Sequence, residues 1–307
     1  MNAHSPGAHP PGGHAAGPHL PGAHLPSSLL PLVGMLTGAK HRYRSAELSR
    51  ESIEAQLRKP ARFAPPPFRD LAVSRADDAG FPVFTVEPQQ APVGTVVYLH
   101  GGSYVHEIST FQWKYVGDLA RTTGVRAIVP IYPLGPVWTA DRTVPAMADL
   151  VAASGADVVM GDSAGGGLAV ASVLASGRPL PTALIAPWLD LGLTDPALPD
   201  LDAVDPWLSP VGLRVNGDAY RGAVPLDDPR VSPLFGDLSR LGPSMVVVGT
   251  HDLMLADARA FASRATDAGV AVTLHEEPGM VHVYPLLPIA EAEAARALVR
   301  AFVRAHV

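Results

Sequence analysis

The sequence predicts an α/β fold, in which a mostly parallel sheet is covered by helices on both faces. Three observations favour this class. Short apolar runs rich in Val and Ile alternate with helical segments along most of the chain, an order typical of parallel sheets. Apolar residues make up 47% of the 307 residues and charged residues 17%, a balance typical of a globular enzyme. Several apolar runs end in glycine or polar residues, and in such folds the strand ends form the ligand crevice.

The chain before the sheet divides into two segments. Residues 1–26 are rich in Pro, Gly, Ala and His, with a histidine at every fifth position from His4 to His24. We expect a disordered low-complexity tail there; loose metal binding by its histidines stays open, but nothing fixes a ligand geometry. Residues 27–67 have a helical pattern followed by a Pro-rich stretch, and Leu48, Ile53 and Leu57 share one helical face. We expect an N-terminal helical cap segment.

Strands and helices alternate in residues 68–307, which we expect to form one α/β domain. The β-branched apolar runs predict strands at 70–74, 81–86, 95–99, 127–132, 158–161, 182–186, 244–249 and 270–275. Apolar residues at helical spacing predict helices at 111–121, 144–153, 167–175, 256–268 and 289–305. The first two strands are joined at Asp77-Asp78-Ala79-Gly80, as in a hairpin. Residues 192–230 lack the alternation and predict a cap insertion over the carboxyl edge of the sheet.

A serine lies at the turn between the strand at 158–161 and the following helix. The segment Gly161-Asp162-Ser163-Ala164-Gly165 fits the nucleophile elbow G-x-S-x-G, in which small residues flank a serine on a strained turn. A larger side chain beside such a turn would collide with the neighbouring strand and helix. The motif by itself also fits a glycine-rich loop with a solvated serine, so other residues must decide.

An acid and a base follow Ser163 in the order of a catalytic triad. Asp252 comes after the strand at 244–249, and His282 comes in the segment 278–284 after the last predicted strand. The order serine, acid, histidine is that of the α/β-hydrolases. His282 would take the proton of Ser163, and Asp252 would fix the tautomer of the histidine and stabilise its charged form.

Other residues compete for these roles. Asp257 is the alternative acid, but it lies one turn further on, where we expect it to cap its helix or face solvent. Asp162 adjoins the serine and points away from it, so we expect a structural hydrogen-bonding role. His251 precedes the acid and His275 lies within a predicted strand, which makes both less suitable as the base.

The loop His100-Gly101-Gly102-Ser103 directly follows the strand at 95–99. Glycines there let backbone N–H groups approach a developing oxyanion closely. We expect the oxyanion hole to be formed by the N–H groups of Gly101, Gly102 and Ser103, together with that of Ala164. His100 is expected to hold the loop by hydrogen bonds.

The chain from residue 68 to 307 resembles the hormone-sensitive-lipase-like esterases, a branch of the α/β-hydrolase superfamily. The matching motifs, in order, are His100-Gly101-Gly102, Gly161-Asp162-Ser163-Ala164-Gly165-Gly166, Pro187-Trp188-Leu189-Asp190-Leu191, Asp228-Pro229-Arg230-Val231-Ser232-Pro233-Leu234, Gly249 with Asp252, and Gly279-Met280-Val281-His282. The resemblance implies the α/β-hydrolase fold with a small helical cap, and the nucleophile and partners already named. Two departures are visible. Ser103 stands where the family usually has a third glycine, and the segment 132–137 lacks the family's arginine and glutamate.

The sequence therefore predicts a serine hydrolase that cleaves carboxylic esters with short- to medium-chain acyl or acetyl groups. An amidase, deacetylase or formamidase on the same triad stays open, as does a non-catalytic binding protein with this fold. Trp188, Trp207 and Tyr104 are candidates for lining an acyl pocket or for plain packing.

Composition bounds the cofactors and partners. We expect no cofactor and no metal, because a triad needs neither. The net charge of −6 and the lack of a basic stretch argue against nucleic acid as a partner. No run of about 18 apolar residues occurs, and no basic region precedes the short apolar segment 29–36, so we expect neither a transmembrane segment nor a signal peptide. We expect a cytoplasmic protein that acts on a small-molecule ester, and a homodimer is possible.

Overall fold

A computed structural model describes residues 26–29, 40–58, 63–77 and 79–307. Residues 1–25 of the tail predicted at 1–26, most of the apolar segment 29–36 and one residue of the hairpin turn lie outside the described residues. Within the described ranges, no helix is both long and apolar enough to cross a membrane.

The described strands form an eight-stranded sheet in the order β1-β2-β4-β3-β5-β6-β7-β8. Its strands are β1 (Leu71–Ala76), β2 (Val83–Pro88), β3 (Thr95–Leu99), β4 (Arg126–Pro130), β5 (Val158–Asp162), β6 (Thr182–Ile185), β7 (Ser244–His251) and β8 (Val272–Val281). β2 pairs antiparallel with β1 and β4, and all pairs from β4 to β8 are parallel. The mostly parallel sheet predicted from the sequence is therefore confirmed.

The crossovers place helices on both faces of the sheet. The helices are α1 (Ala46–Arg58), α2 (Thr110–Thr123), α3 (Ala140–Ala153), α4 (Ala164–Ser176), α5 (Leu198–Val204), α6 (Pro210–Arg221), α7 (Leu255–Asp267) and α8 (Ala290–Arg304). In the sheet, β4 lies beside β3 on the side of β2, whereas β5 lies on the opposite side of β3, so the chain reverses its direction across the sheet between these connections. Because parallel crossovers are right-handed, α2 lies on one face and α3 on the other. α8 packs against α2, and α4 packs against α3.

This reversal of direction makes β3 the switch point of the sheet, and ligand crevices form outside the carboxyl ends of strands at such points. β3 is buried along Val96–Leu99, and every residue of β5 is buried. The two predicted motifs follow these strands directly, since the His100 loop leaves β3 and Ser163 leaves β5. The sheet therefore brings both to one edge.

The structure differs from the sequence prediction at the last strand and in the insertion. β8 continues to Val281, so His282 follows the strand directly and does not lie within a longer loop. The predicted insertion contains two helices, α5 and α6, each with a proline in its first turn. In α1, Ile53 is buried but Leu57 is 49% exposed, so the predicted shared face is only partly covered.

The N-terminal segment packs on the insertion. α1 contacts α6, and a Cβ added to Gly212 would lie 2.4 Å from Tyr43 Cα, so the two backbones meet closely. Lys40 Nζ donates to the carbonyl oxygens of Asp202 and Asp205 at 2.5 and 2.7 Å. These contacts join the segment and the insertion over the same end of the sheet. Their assignment as a cap, and the domain boundaries, stay predictions.

Candidate active site

Ser163 occupies a strained turn between β5 and α4. Its φ of 54° and ψ of −124° lie outside the regions that non-glycine residues favour. The turn is possible because its neighbours are small: a Cβ on Gly161 would lie 2.1 Å from the carbonyl oxygen of Gly165, and one on Gly165 would lie 2.1 Å from that of Leu99. Such strain is often kept at functional sites because the surrounding structure imposes it.

Ser163, His282 and Asp252 form a continuous hydrogen-bonded chain. His282 Nε2 lies 2.9 Å from Ser163 Oγ. On the other side of the ring, His282 Nδ1 lies 3.0 Å from each carboxylate oxygen of Asp252. All three residues are buried, with Asp252 fully so, while Ser163 and His282 line a cavity. The geometry is that of a nucleophile, a general base and the acid that orients it.

Charge around His282 favours its protonated form. Burial lowers the pKa of His282, but the charge and hydrogen bond of Asp252 outweigh this, with smaller contributions from Asp205 and Asp162. The net result is a pKa above the ordinary value of histidine. Such a histidine readily accepts the proton of the serine hydroxyl.

Among the described residues, Asp257 makes no hydrogen bond to Ser163, Asp252 or His282. Its Oδ2 accepts the backbone N–H groups of Leu189 and Asp190 at 2.6 and 2.9 Å, and only 3% of the residue is exposed. The expectation that it caps its helix or faces solvent is therefore wrong. Burial raises its pKa to about 8. Its carboxyl group holds the segment after β6 against α7.

The loop after β3 is distorted where it passes Ser163. Gly102 has a φ of 127°, and Ser103, at the usual third-glycine position, has a φ of 53°. Ser103 keeps this conformation while its Oγ lies 3.1 Å from Tyr43 Oη. Within the described ranges, the backbone N–H groups of Gly102, Ser103 and Ala164 have no acceptor. They are thus available to a ligand.

Gly101 differs from the other members of the predicted oxyanion hole. Its N–H donates to Asp162 Oδ1 at 3.0 Å, so it is already occupied. The inclusion of Gly101 among the oxyanion donors is corrected on this ground. Its glycine identity has another cause: a Cβ there would lie 2.4 Å from Asp162 Oδ2.

Asp162 and His100 have structural surroundings. Asp162 also accepts from Tyr98 Oη at 2.5 Å and from Gln112 Nε2, two partners that the sequence did not single out. His100 stacks on Tyr132, and its Nδ1 lies 2.8 Å from the carbonyl oxygen of Gly101. Burial lowers the pKa of His100 to about 4, so the ring is neutral at physiological pH. These contacts fix the loop and the elbow relative to each other.

A cavity of about 300 Å³ opens beside Ser163. The N-terminal segment contributes Arg42 and Tyr43 to its wall, and the insertion contributes Trp207 and Leu208. Further wall residues are Gly101, Gly102, Ser103, His106, Glu107, Ser109, Phe111, Gln112, Asp162, His282, Val283, Leu286 and Leu287. Of the aromatic candidates, Trp207 lines the cavity, whereas Trp188 and Tyr104 are buried in the core. No group of three metal-ligating side chains occurs among the residues that the structure describes.

Comparison with known proteins agrees with this geometry. A family model described as alpha/beta hydrolase fold matches residues 96–286. A triacylglycerol lipase of Mycobacterium tuberculosis is 32% identical over 68% of this chain, and the chain spans 46% of that lipase. An acetyl-hydrolase of Streptomyces hygroscopicus is 33% identical over 71% of this chain and 78% of its own length.

A solved structure of an esterase from the bacterial hormone-sensitive lipase family is similar over most of this chain. Its TM-score is 0.71 and its identity 27%, and the match covers 85% of this chain and 97% of that esterase. Sequence, family model and structure thus agree, and the predicted resemblance to hormone-sensitive-lipase-like esterases is confirmed. The chain belongs to the alpha/beta hydrolase fold family.

Proposed function

We propose that this protein is a serine hydrolase that cleaves carboxylic esters through an acyl-enzyme on Ser163. The observation that carries the proposal is the hydrogen bond of 2.9 Å between His282 Nε2 and Ser163 Oγ, with Asp252 on the opposite nitrogen of the ring. A serine hydroxyl is a weak nucleophile until a base removes its proton. The names of the relatives, a triacylglycerol lipase and an acetyl-hydrolase, point to ester substrates.

The first half-reaction acylates the serine. Ser163 Oγ attacks the ester carbonyl carbon while its proton moves to His282 Nε2. The tetrahedral intermediate collapses when the C–O bond to the alcohol breaks, and His282 returns the proton to the leaving oxygen. Asp252 accepts the Nδ1–H of the imidazolium and stabilises its charge throughout.

The second half-reaction releases the acid. Water takes the place of the alcohol, gives a proton to His282, and attacks the acyl carbon. The ester bond to Ser163 then breaks, the proton passes from His282 to Ser163 Oγ, and the carboxylic acid leaves.

The backbone N–H groups of Gly102, Ser103 and Ala164 stabilise the negative oxygen in both steps. Each lacks an acceptor within the described part of the chain, whereas a donor already bonded to protein could not serve. Preorganised donors of this kind are worth roughly 3–4 kcal/mol each in the transition state of other serine hydrolases.

The cavity favours short- to medium-chain acyl groups. Its volume of about 300 Å³ lies at the low end of the range for small-molecule sites. Its wall combines apolar side chains such as Phe111 and Leu287 with the oxyanion loop. Small esters, acetyl esters among them, are therefore the substrate class.

The test is hydrolysis of 4-nitrophenyl butyrate by the wild type and by Ser163→Ala. The variant should lose at least about 1,000-fold in kcat, since removing a triad member costs several orders of magnitude. Ser239→Ala, the same change at an exposed serine, is the matched control. Activity of Ser163→Ala within about tenfold of the wild type would refute the proposal.

A fluorophosphonate should label the wild type at Ser163 and leave Ser163→Ala unlabelled. Comparing 4-nitrophenyl butyrate with its anilide separates esterase from amidase activity.

The cytoplasmic location and the homodimer are further proposals, tested by cell fractionation and by light scattering of the purified protein.

A further inference from the structure

Asp205 connects the insertion to the loop that carries the triad acid. It follows α5, and only 2% of the residue is exposed. Its Oδ1 accepts the backbone N–H groups of Trp207 and Leu208 at 2.7 and 2.9 Å. Its Oδ2 accepts the N–H of Leu253 at 2.8 Å. One carboxylate therefore joins two segments that are far apart in sequence, and one of them is adjacent to Asp252.

The loop held in this way is short and buried. Asp252 Oδ1 accepts the N–H of Met254 at 2.9 Å, and Leu253 between them is fully buried. Two carboxylates thus accept the successive N–H groups of this loop: Asp205 accepts that of Leu253, and Asp252 accepts that of Met254. Without Asp205 the N–H of Leu253 would be a buried donor with no acceptor, and such groups are rare in native proteins.

The negative charge of Asp205 also reaches His282. Three carboxylates act on this histidine: Asp252 from the loop after β7, Asp205 from the insertion and Asp162 from the end of β5. Of the Asp205 oxygens, Lys40 Nζ bonds to the backbone carbonyl, and its ion pair is with the carboxylate of Asp202. Burial, and then the charge of Asp252, raise the pKa of Asp205 to about 6. Above that pH the carboxylate is mostly ionised.

We propose that Asp205 is a positioning residue of the triad, which fixes the loop of Asp252 and stabilises the protonated His282 by a second negative charge. The role rests on the proposed function, because during catalysis the imidazolium forms when His282 takes the proton of Ser163. Asp205 also anchors the start of the segment from which Trp207 and Leu208 line the cavity. The part of the insertion that lines the cavity is thereby tied to the acid of the triad.

The decisive variant is Asp205→Asn, measured by the pH dependence of kcat and kcat/KM for 4-nitrophenyl butyrate. The amide keeps the size of the side chain but loses the charge. Its one oxygen can accept from only some of the N–H groups of Trp207, Leu208 and Leu253. We expect kcat to fall about 10- to 100-fold, as small displacements of catalytic groups do elsewhere. We also expect the acid limb of kcat/KM, which is its fall toward low pH as His282 becomes protonated, to move to lower pH. The neutral amide no longer raises the pKa of His282.

A purely structural role would lower the thermal midpoint and the rate without moving the acid limb. Asp190→Asn is the matched control: Asp190 is a buried carboxylate in the segment between β6 and the insertion, and it accepts the N–H groups of Gly192 and Thr194. Its acid limb should stay at the wild-type pH. Asp205→Glu keeps the charge, and its acid limb should lie nearer to that of the wild type than the limb of Asp205→Asn does.

An acid limb that does not move in Asp205→Asn, or a kcat within about twofold of the wild type, overturns the proposal. If Asp205→Asn does not fold, Asp205→Ser is measured in its place, because its hydroxyl can still accept the N–H of Trp207. Failure of the proposed function has a different signature: a folded wild-type protein that no fluorophosphonate labels and that hydrolyses no ester at any pH.

Discussion

The backbone N–H of Gly101 donates to Asp162 Oδ1 over 3.0 Å, which ties the loop after β3 to the serine elbow after β5. The loop and the elbow leave neighbouring parallel strands, but a shared sheet alone fixes only the strand ends. The carboxylate of Asp162, which immediately precedes the serine, also accepts from Tyr98 and Gln112. The placement of the free N–H groups around the serine therefore depends on a side chain that does no chemistry.

Replacement of Asp162 by alanine should destabilise the protein strongly. The change leaves the donors of Tyr98, Gly101 and Gln112 buried without their acceptor, and each such group costs about 1–3 kcal/mol. We expect the free energy of unfolding in urea to fall by about 3–5 kcal/mol. Asp149→Ala, at an exposed aspartate of α3, is the control and should stay within about 0.5 kcal/mol of the wild type. A loss for Asp162→Ala no larger than that of the control would contradict the bridging role.

Replacement of His100 by asparagine should weaken the loss of stability in acid. The pKa of His100 is lowered by burial from 6.5 to about 4 in the folded state. Between these values the unfolded chain binds the extra proton, so the free energy of unfolding falls as the pH falls through this window. In His100→Asn the slope near pH 5 to 6 should be smaller by about 1 kcal/mol per pH unit. Urea denaturation at several pH values measures it, and an unchanged slope would disprove the assignment.

Ser103→Gly should relieve backbone strain, and a second substitution isolates the effect. Ser103 has a φ of 53°, where a non-glycine residue costs about 1–2 kcal/mol. The same change removes the contact of its Oγ with Tyr43 Oη, which offsets the gain. We therefore expect Ser103→Gly to stabilise the Tyr43→Phe variant, which already lacks this hydrogen bond, by about 1 kcal/mol. Thermal denaturation of the wild type, the two single variants and the double variant gives the value. Destabilisation by Ser103→Gly in the Tyr43→Phe background would contradict it.

Strong local patterns made the centre of the sheet predictable. The strand at Thr95–Leu99 is a mostly apolar run that ends at His100, and its predicted bounds match the structure. The end of β8 was not predictable in this way. Glu276 and Glu277 suggest a loop, yet a strand at the edge of a sheet tolerates polar side chains.

The chain order of Ser163, Asp252 and His282 let the sequence propose the triad, and the structure brings their side chains together. Hydrogen bonds between distant segments were invisible to the same reasoning. Helical spacing places Asp257 near a helix start, but it does not reveal that the segment after β6 crosses there and uses its carboxylate. Likewise, no spacing distinguishes the occupied N–H of Gly101 from the free N–H of Gly102, because that depends on the backbone path past Asp162.

Asp252→Asn should separate the triad acid from its sequence neighbour Asp257. An amide at position 252 no longer accepts the His282 Nδ1–H as a charged partner, so the histidine can adopt the wrong tautomer. In comparable triads this lowers kcat by about 10,000-fold. Loss of the Asp252 charge also lowers the pKa of His282, so the acid limb of the remaining kcat/KM should move to lower pH.

Asp257→Asn is the matched control, because its amide oxygen can still accept from Leu189 and Asp190; its kcat should stay within about tenfold of the wild type. Steady-state hydrolysis of 4-nitrophenyl butyrate measures both, and a greater loss in Asp257→Asn than in Asp252→Asn would exchange the roles of the two acids.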